Sequence, residues 1–287
     1  MNTSTLLSAP SKAPAPTERR IVQCTRGHQH GPVTRLMSPS DLGELLKPFV
    51  FLDSFDADGS SAAGFGLHPH SGIATLTWIL EGSVGYEDTS GATGVLPAGG
   101  VEWMRAGGGA WHGGSFGDAK RVRGFQLWVA LPPALESGPA TSRYFAPETI
   151  EQDGPAKVLL GRYGAARSAI ESPSPINYLS LRLKAGERWR YQPPAGHSVA
   201  WAALSTGDLL APARLRAGEM AVFDRSGDAI DFHAETDTEF VLGSAAPHPY
   251  ELILGRYSVH TSVATLRDGE ARIRKIGASL RSAGRLR

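Results

Sequence analysis

From Gly64 to Leu131 the chain runs in short apolar stretches cut by glycine, with no sustained helical period. Residues 75–80, 84–87, 94–96, 101–104 and 124–130 read as strands, separated by the turn sequences EGS, TSGA and PAGG. Residues 48–55 give one more buried strand ahead of them, ending at an aspartate-rich turn. A linker-like stretch follows over 131–150. The pattern then returns at 157–160, 176–183, 198–204, 220–223, 229–233 and 239–243, between the turns KAGE, STGD, RAGE and RSGD. Regular short strands with glycine turns predict an all-β chain built as a closed barrel or a double-sheet jelly roll, and the repetition predicts two such units.

Composition narrows the partners. The 287 residues carry a net charge of +1, so nothing in the bulk charge points to nucleic acid or a membrane surface. No apolar run is long enough to span a bilayer. The one cysteine, Cys24, excludes an intrachain disulfide and cysteine-based zinc motifs, and reads as a small packed side chain. Residues 1–19 are rich in Ser, Thr, Ala and Pro and lack the order of a secretory signal. They read as a disordered tail, with a cytoplasmic location as the default expectation.

Candidate chemistry concentrates in one region. His68 and His70 stand one residue apart, and in an extended strand both point to one face. If the alternation continues past Gly72, Leu76, Trp78 and Leu80 share that face. His112 arrives from a later glycine-rich strand or loop. Three neutral imidazoles suit a borderline divalent ion such as Fe, Ni, Cu or Zn and leave positions open for water or substrate. Glu102 and Trp103 fall on opposite faces of their strand, so one of them could line the pocket and the sequence does not say which; a solvated glutamate and a core tryptophan are the plain expectation. A second pair, His28 and His30, lies in a polar stretch and reads as surface loop. In the second half His197, His233, His248 and His260 are scattered, which predicts no metal there.

The ordered segments PFVFLDSFD, GFGLHPHSG, LTWILEG, GVEWMRAGGGAWH and FQLWVALP, over 48–132, resemble the pirin family of the cupin superfamily. The resemblance runs from about residue 20 to about residue 280. It implies two cupin-type β-barrels, a bicupin, with a short helix at the C-terminus. The implied division is a barrel with the metal site over 20–145, then a second barrel and the helix over 146–287. It further implies a metal, usually iron, on His68, His70 and His112, with Fe(II) as the expected ion. The family's fourth ligand, a glutamate two residues after the third histidine, falls on Gly114, and a further common glutamate falls on Ala74. Gly114 is thus a degenerate ligand position, and an absent metal is the alternative to Fe(II). Asp118 is the nearest carboxylate after His112 in sequence. Restoring the ligand by Gly114→Glu is expected to raise Fe(II) affinity by about tenfold or more.

The activity implied is that of a metal-dependent dioxygenase of the quercetin 2,3-dioxygenase kind, with an aromatic small molecule as substrate. Trp78, Trp103 and Trp111 are candidates to line its pocket, against plain core packing. No catalytic residue beyond the metal ligands is assigned. The alternative is a non-catalytic binding or regulatory protein with a protein partner and a weakened or absent metal site. The basic C-terminal run lacks stacking aromatics, which argues against nucleic acid.

Overall fold

The computed structural model describes residues 19–58, 64–116 and 119–286. The first half supplies β1 (Ile21–Thr25), β2 (His28–His30), β3 (Val33–Met37), the short helix α1 (Leu42–Leu46), β4 (Phe49–Asp58) and β5 (Phe65–His70). It continues with β6 (Ile73–Glu81), β7 (Ser83–Asp88), β8 (Thr93–Pro97), β9 (Val101–Arg105), β10 (Ala110–Phe116), β11 (Arg121–Ala130) and β12 (Thr141–Phe145). A seven-stranded sheet in the order β12-β9-β6-β11-β4-β3-β2 faces a four-stranded one in the order β5-β10-β7-β8. The second half repeats the plan with another seven-stranded and another four-stranded sheet. The chain is therefore all-β, a pair of cupin-type barrels, closed by one long helix α2 (Val263–Ser282).

Side-chain alternation assigns each large sheet two different jobs. On one face of the first, Leu76, Trp78 and Leu80 of β6 and Phe125, Leu127 and Val129 of β11 are buried. They join Tyr178, Trp201, Val222 and Val241 of the second large sheet in a single core. Phe49 meets Trp201 edge-on at 5.4 Å across this seam. The two barrels thus pack large sheet against large sheet. The opposite faces turn into the barrels. The second barrel is filled by Trp189, Tyr191, Phe223, Phe232 and Phe240. The first presents Thr77, Glu102, Gln126 and Trp128 at its inward positions and keeps a cavity.

The two ends of the chain cross over. β1 pairs with Met220–Phe223 and forms an edge of the second large sheet. Helix α2 returns to the first barrel, where Trp111 of β10 donates its indole N–H to the Ile273 carbonyl at 2.9 Å. Its buried residues Gly269, Ile273, Gly277 and Leu280 make one stripe at helical spacing, and its arginines are exposed.

Several local expectations change. The stretch 131–150 is more than a linker, since β12 within it pairs with β9. His28 and His30 are exposed but lie in a strand paired with β3. Cys24 is exposed, because β1 is an edge strand. Of the expected tail, residues 1–18 lie outside the described residues. Arg19 is buried, and its guanidinium donates to the carbonyls of Asp224 and Ser198. Among the described residues no helix is long and apolar enough to cross a membrane.

Candidate metal centre

Strands β5 and β10 are neighbours in the small sheet, with His68 opposite His112 and His70 opposite Ala110. The i, i+2 spacing of β5 and the pairing register therefore aim three imidazoles at one point. Their ring centroids lie 4.9, 4.6 and 5.1 Å apart, and one nitrogen from each ring falls within 4.8 Å of the others.

Hydrogen bonds fix which nitrogen that is. His68 Nδ1 bonds the Gly66 carbonyl at 2.7 Å, and His70 Nδ1 bonds the Tyr257 carbonyl at 3.1 Å. His112 Nδ1 bonds Glu102 Oε1 at 2.8 Å. All three partners are acceptors, so each Nδ1 carries the proton and each Nε2 holds a free lone pair. His70 Nε2 and His112 Nε2 are buried with no hydrogen-bond partner among the described residues. Buried nitrogens without partners are costly, and a cation facing them would remove that cost. The donor set fits a borderline divalent ion.

Burial keeps the His68 and His70 rings neutral at physiological pH. It lowers the His68 pKa to about 4, with the neighbouring His112 adding to the effect. It drives His70 well below the ordinary histidine value, reinforced by His68 and His112. Glu102 is only 7% exposed. Burial pushes its carboxyl up, but His112 and Thr77 outweigh this and hold it below its ordinary value. Thr77 donates to Glu102 Oε2 at 2.6 Å, and Gln126 lies 3.0 Å from the same hydroxyl.

The histidines open into a cavity of about 510 Å³. Its walls include Phe51, Phe55, Phe65, Tyr86 and Trp128. Phe51 and Trp128 stack at 4.0 Å with planes 7° apart, and Trp128 meets His70 edge-on at 4.7 Å. On its far side Phe51 carries the Arg35 guanidinium at 3.9 Å, and Arg35 is paired with Asp53. The segment Leu254 to Tyr257, which precedes α2, completes the rim.

Three expectations are displaced. Trp78 and Trp103 belong to the core between the barrels, and Trp111 is held by α2. None of the three lines this cavity. The alternation of β5 does not carry through Gly72, whose φ of 74° turns the chain into the large sheet. There Thr77, not Leu76 or Trp78, faces the histidines. Glu102 is not solvated but stands behind His112. Ala74, the other position of a lost glutamate, sits in the inter-barrel core.

Gly114 lines the cavity, yet its surroundings leave little room for a side chain. A Cβ there would lie 2.8 Å from Val84 Cγ1 and 2.9 Å from the Gly85 carbonyl oxygen. The expected gain from Gly114→Glu therefore meets a steric obstacle that includes backbone. Asp118 lies outside the described residues.

Sequence reasoning leaves Glu102 undecided and misses Trp128 and the C-terminal rim. Signals existed for the first two. Glu102 stands in VEWM, between apolar neighbours, and Trp128 follows Gln126 at the strand period. The rim gave none, because it is brought in from far along the chain.

Residues 32–129 match the family model of Pirin. The chain is 31% identical over 225 residues to a pirin-like protein of Caulobacter vibrioides, covering 75% of this chain and 81% of that one. Among solved structures it is similar to a quercetin 2,3-dioxygenase from Acinetobacter baumannii, at 25% identity and a TM-score of 0.81, over 89% of this chain and 96% of that one. It also shares its fold with a bacterial pirin from Escherichia coli in complex with nickel(II), at 21% identity and a TM-score of 0.61, over 77% of this chain and 94% of that one. With this level of identity across most of the relative's length, and the same paired barrels, the chain belongs to the pirin family.

Proposed function

We propose that His68, His70 and His112 hold a divalent transition metal, Fe(II) first among the candidates, and that the protein is a metal-dependent oxygenase of the quercetin 2,3-dioxygenase type. The observation that carries the reading is the uniform commitment of Nδ1. Three separate acceptors take the three Nδ1 protons, so three Nε2 lone pairs meet at the floor of an aromatic-walled cavity. When bound, a divalent ion supplies Lewis acidity toward an enol or phenol oxygen and redox access to dioxygen.

The chain's own side chains do the rest. Stacked Phe51 and Trp128 offer a flat wall to an aromatic ring beside His70. A cavity near 510 Å³ falls in the usual range for small-molecule sites. Glu102 keeps the His112 ring in one tautomer and orientation. The similarity to a quercetin 2,3-dioxygenase supports a flavonol or a related enolisable aromatic as the substrate class.

The missing ligand at Gly114 favours a second reading, a non-catalytic binding or regulatory protein with a weakened or absent metal site. Elemental analysis of untagged protein, with oxygen uptake in the presence of quercetin, separates the two. A stoichiometric transition metal, oxygen consumption, and loss of both in His70→Ala are expected of the oxygenase. Bound metal without oxygen consumption across a panel of flavonols would favour the regulatory reading.

A further inference from the structure

The carboxylate that the family places two residues after the third histidine is lost, and Val84 and the Gly85 carbonyl crowd the position it would start from. The cavity nevertheless holds a carboxylate in contact with the same histidine. Glu102 reaches His112 from β9 in the opposite sheet and binds its Nδ1, the nitrogen turned away from the cluster. We propose that Glu102 takes over, from behind His112, the charge-compensating role of the missing ligand, and that the ion thereby keeps an extra position open for substrate. The proposal rests on the reading that the three histidines bind a divalent ion.

Three observations carry it. First, the three histidines are not treated alike. His68 and His70 are oriented by neutral backbone carbonyls, which suffice to fix a tautomer. His112 alone has a carboxylate, so orientation by itself does not account for the choice. Second, Glu102 is buried, and among the described residues no lysine or arginine forms an ion pair with it. Its partners are His112 and the Thr77 hydroxyl. A buried carboxylate without a fixed cation is costly, and an ion on the far side of His112 would provide one. Third, the Thr77 hydroxyl holds the second carboxylate oxygen at 2.6 Å, so the group is built into place rather than free to swing.

The physical effect follows from charge. Three neutral imidazoles leave a divalent ion with its full double charge in a buried site. An ionised carboxylate one imidazole away offsets part of it and makes the Nε2 lone pair a stronger donor through the Nδ1–H bond. Because Glu102 does not occupy a coordination position, the offset does not use up a place that substrate or water needs. In this protein Glu102 is a positioning residue, acting through His112.

Glu102→Gln is the sharp test, because it keeps the shape and an acceptor for Nδ1–H and removes the charge. Metal-free wild type, Glu102→Gln, Glu102→Asp and His70→Ala would be titrated with Co(II) by calorimetry, and the visible spectrum of bound Co(II) recorded. Glu102→Gln is expected to weaken binding by about tenfold or more, the range found for partners of metal-bound histidines. Its Co(II) spectrum should keep the wild-type band pattern, because the ligands are unchanged. Glu102→Asp, which retains the charge, should lie closer to wild type and serves as the readout if the glutamine variant does not fold. Wild-type affinity in Glu102→Gln beside lost binding in His70→Ala would overturn the proposal and leave the metal site standing. So would a Glu102→Asp variant weaker than a folded Glu102→Gln. A wild type that takes up no Co(II), Fe(II), Ni(II) or Mn(II) would overturn both.

Discussion

The backbone carbonyl of Tyr257 binds His70 Nδ1 at 3.1 Å across 187 residues of sequence. A strand of the first barrel that bears two candidate ligands is thus oriented by chain that arrives only after the second barrel has been completed. The contact is reinforced immediately beside it. Ser71 and Ser258 hydroxyls lie 2.8 Å apart, and Ser71 also meets His260 Nε2 at 2.9 Å. Glu136 then accepts both the backbone N–H and the hydroxyl of Thr261. Ser71, Ser258, His260 and Glu136 are buried, so the segment leading into α2 is tied down by polar bonds in a place where breaking them is expensive.

Ser258→Val tests this tie without touching a candidate ligand. It leaves the Ser71 hydroxyl without one partner and adds bulk to a closed site, so a loss of about 1–3 kcal/mol is expected in chemical denaturation. Co(II) affinity should fall as well, because the Tyr257 carbonyl sits one residue away. A destabilised variant with unchanged affinity would show that His70 does not depend on that carbonyl.

Gly114→Ala measures whether the lost ligand position is sterically closed. The added Cβ would meet Val84 Cγ1 at 2.8 Å and the Gly85 carbonyl oxygen at 2.9 Å, and the second of these belongs to the backbone. Destabilisation of about 1–3 kcal/mol is expected from such overpacking, and Gly114→Glu should fail to raise Fe(II) affinity. A neutral alanine variant with tighter Fe(II) binding in the glutamate variant would mean that β7 gives way easily and that the glycine alone weakens the site.

Metal-free protein should lose stability as the pH falls from about 6.5 toward 4. His68 has a folded-state pKa of about 4, below the ordinary 6.5, and His70 lies well below it too. Between those values the unfolded chain binds more protons than the folded one, so stability is complete above 6.5 and drains away on acidification. Burial moves His197, His248 and His260 in the same direction. Urea midpoints at pH 7.5 and pH 5 would show the drop, and Leu in place of His68 should make it smaller. Equal slopes for wild type and that variant would contradict the assignment.

What was legible in the sequence is what strand periodicity carries. His68 and His70 share a strand, so their common direction follows from a two-residue repeat. His112 joins them through the pairing of β10 with β5. The inner face of β6 does not follow from that repeat, because a glycine with positive φ resets the phase between His70 and Ile73. The inward side of β9 is not decided locally, because the partner of Glu102, His112, lies ten residues on and in another sheet. The rim from Leu254 to Tyr257 depends on a chain crossing that no local pattern encodes.

The tryptophan that bounds the cavity can be identified by ligand binding. Trp128 lies against Phe51 with parallel rings and against His70 edge-on, so it joins the aromatic wall to the candidate metal site. Trp78 and Trp103 are in the inter-barrel core, and Trp111 is bonded to α2. Trp128→Leu keeps an apolar side chain but removes the stacking partner of Phe51. An aromatic pair is worth about 0.5–1.5 kcal/mol beyond its buried area, which corresponds to roughly a twofold to tenfold loss in affinity for a flavonol. Metal content should stay at the wild-type level, since none of the Nδ1 acceptors is altered. Trp111→Leu should instead lower the melting temperature through the loss of its bond to Ile273 and leave flavonol affinity nearly unchanged. Calorimetric titration of quercetin into both variants, loaded with the same ion, decides between them. Equal affinity in wild type and Trp128→Leu, with a loss in Trp111→Leu, would move the ligand away from this cavity and toward the surface under α2.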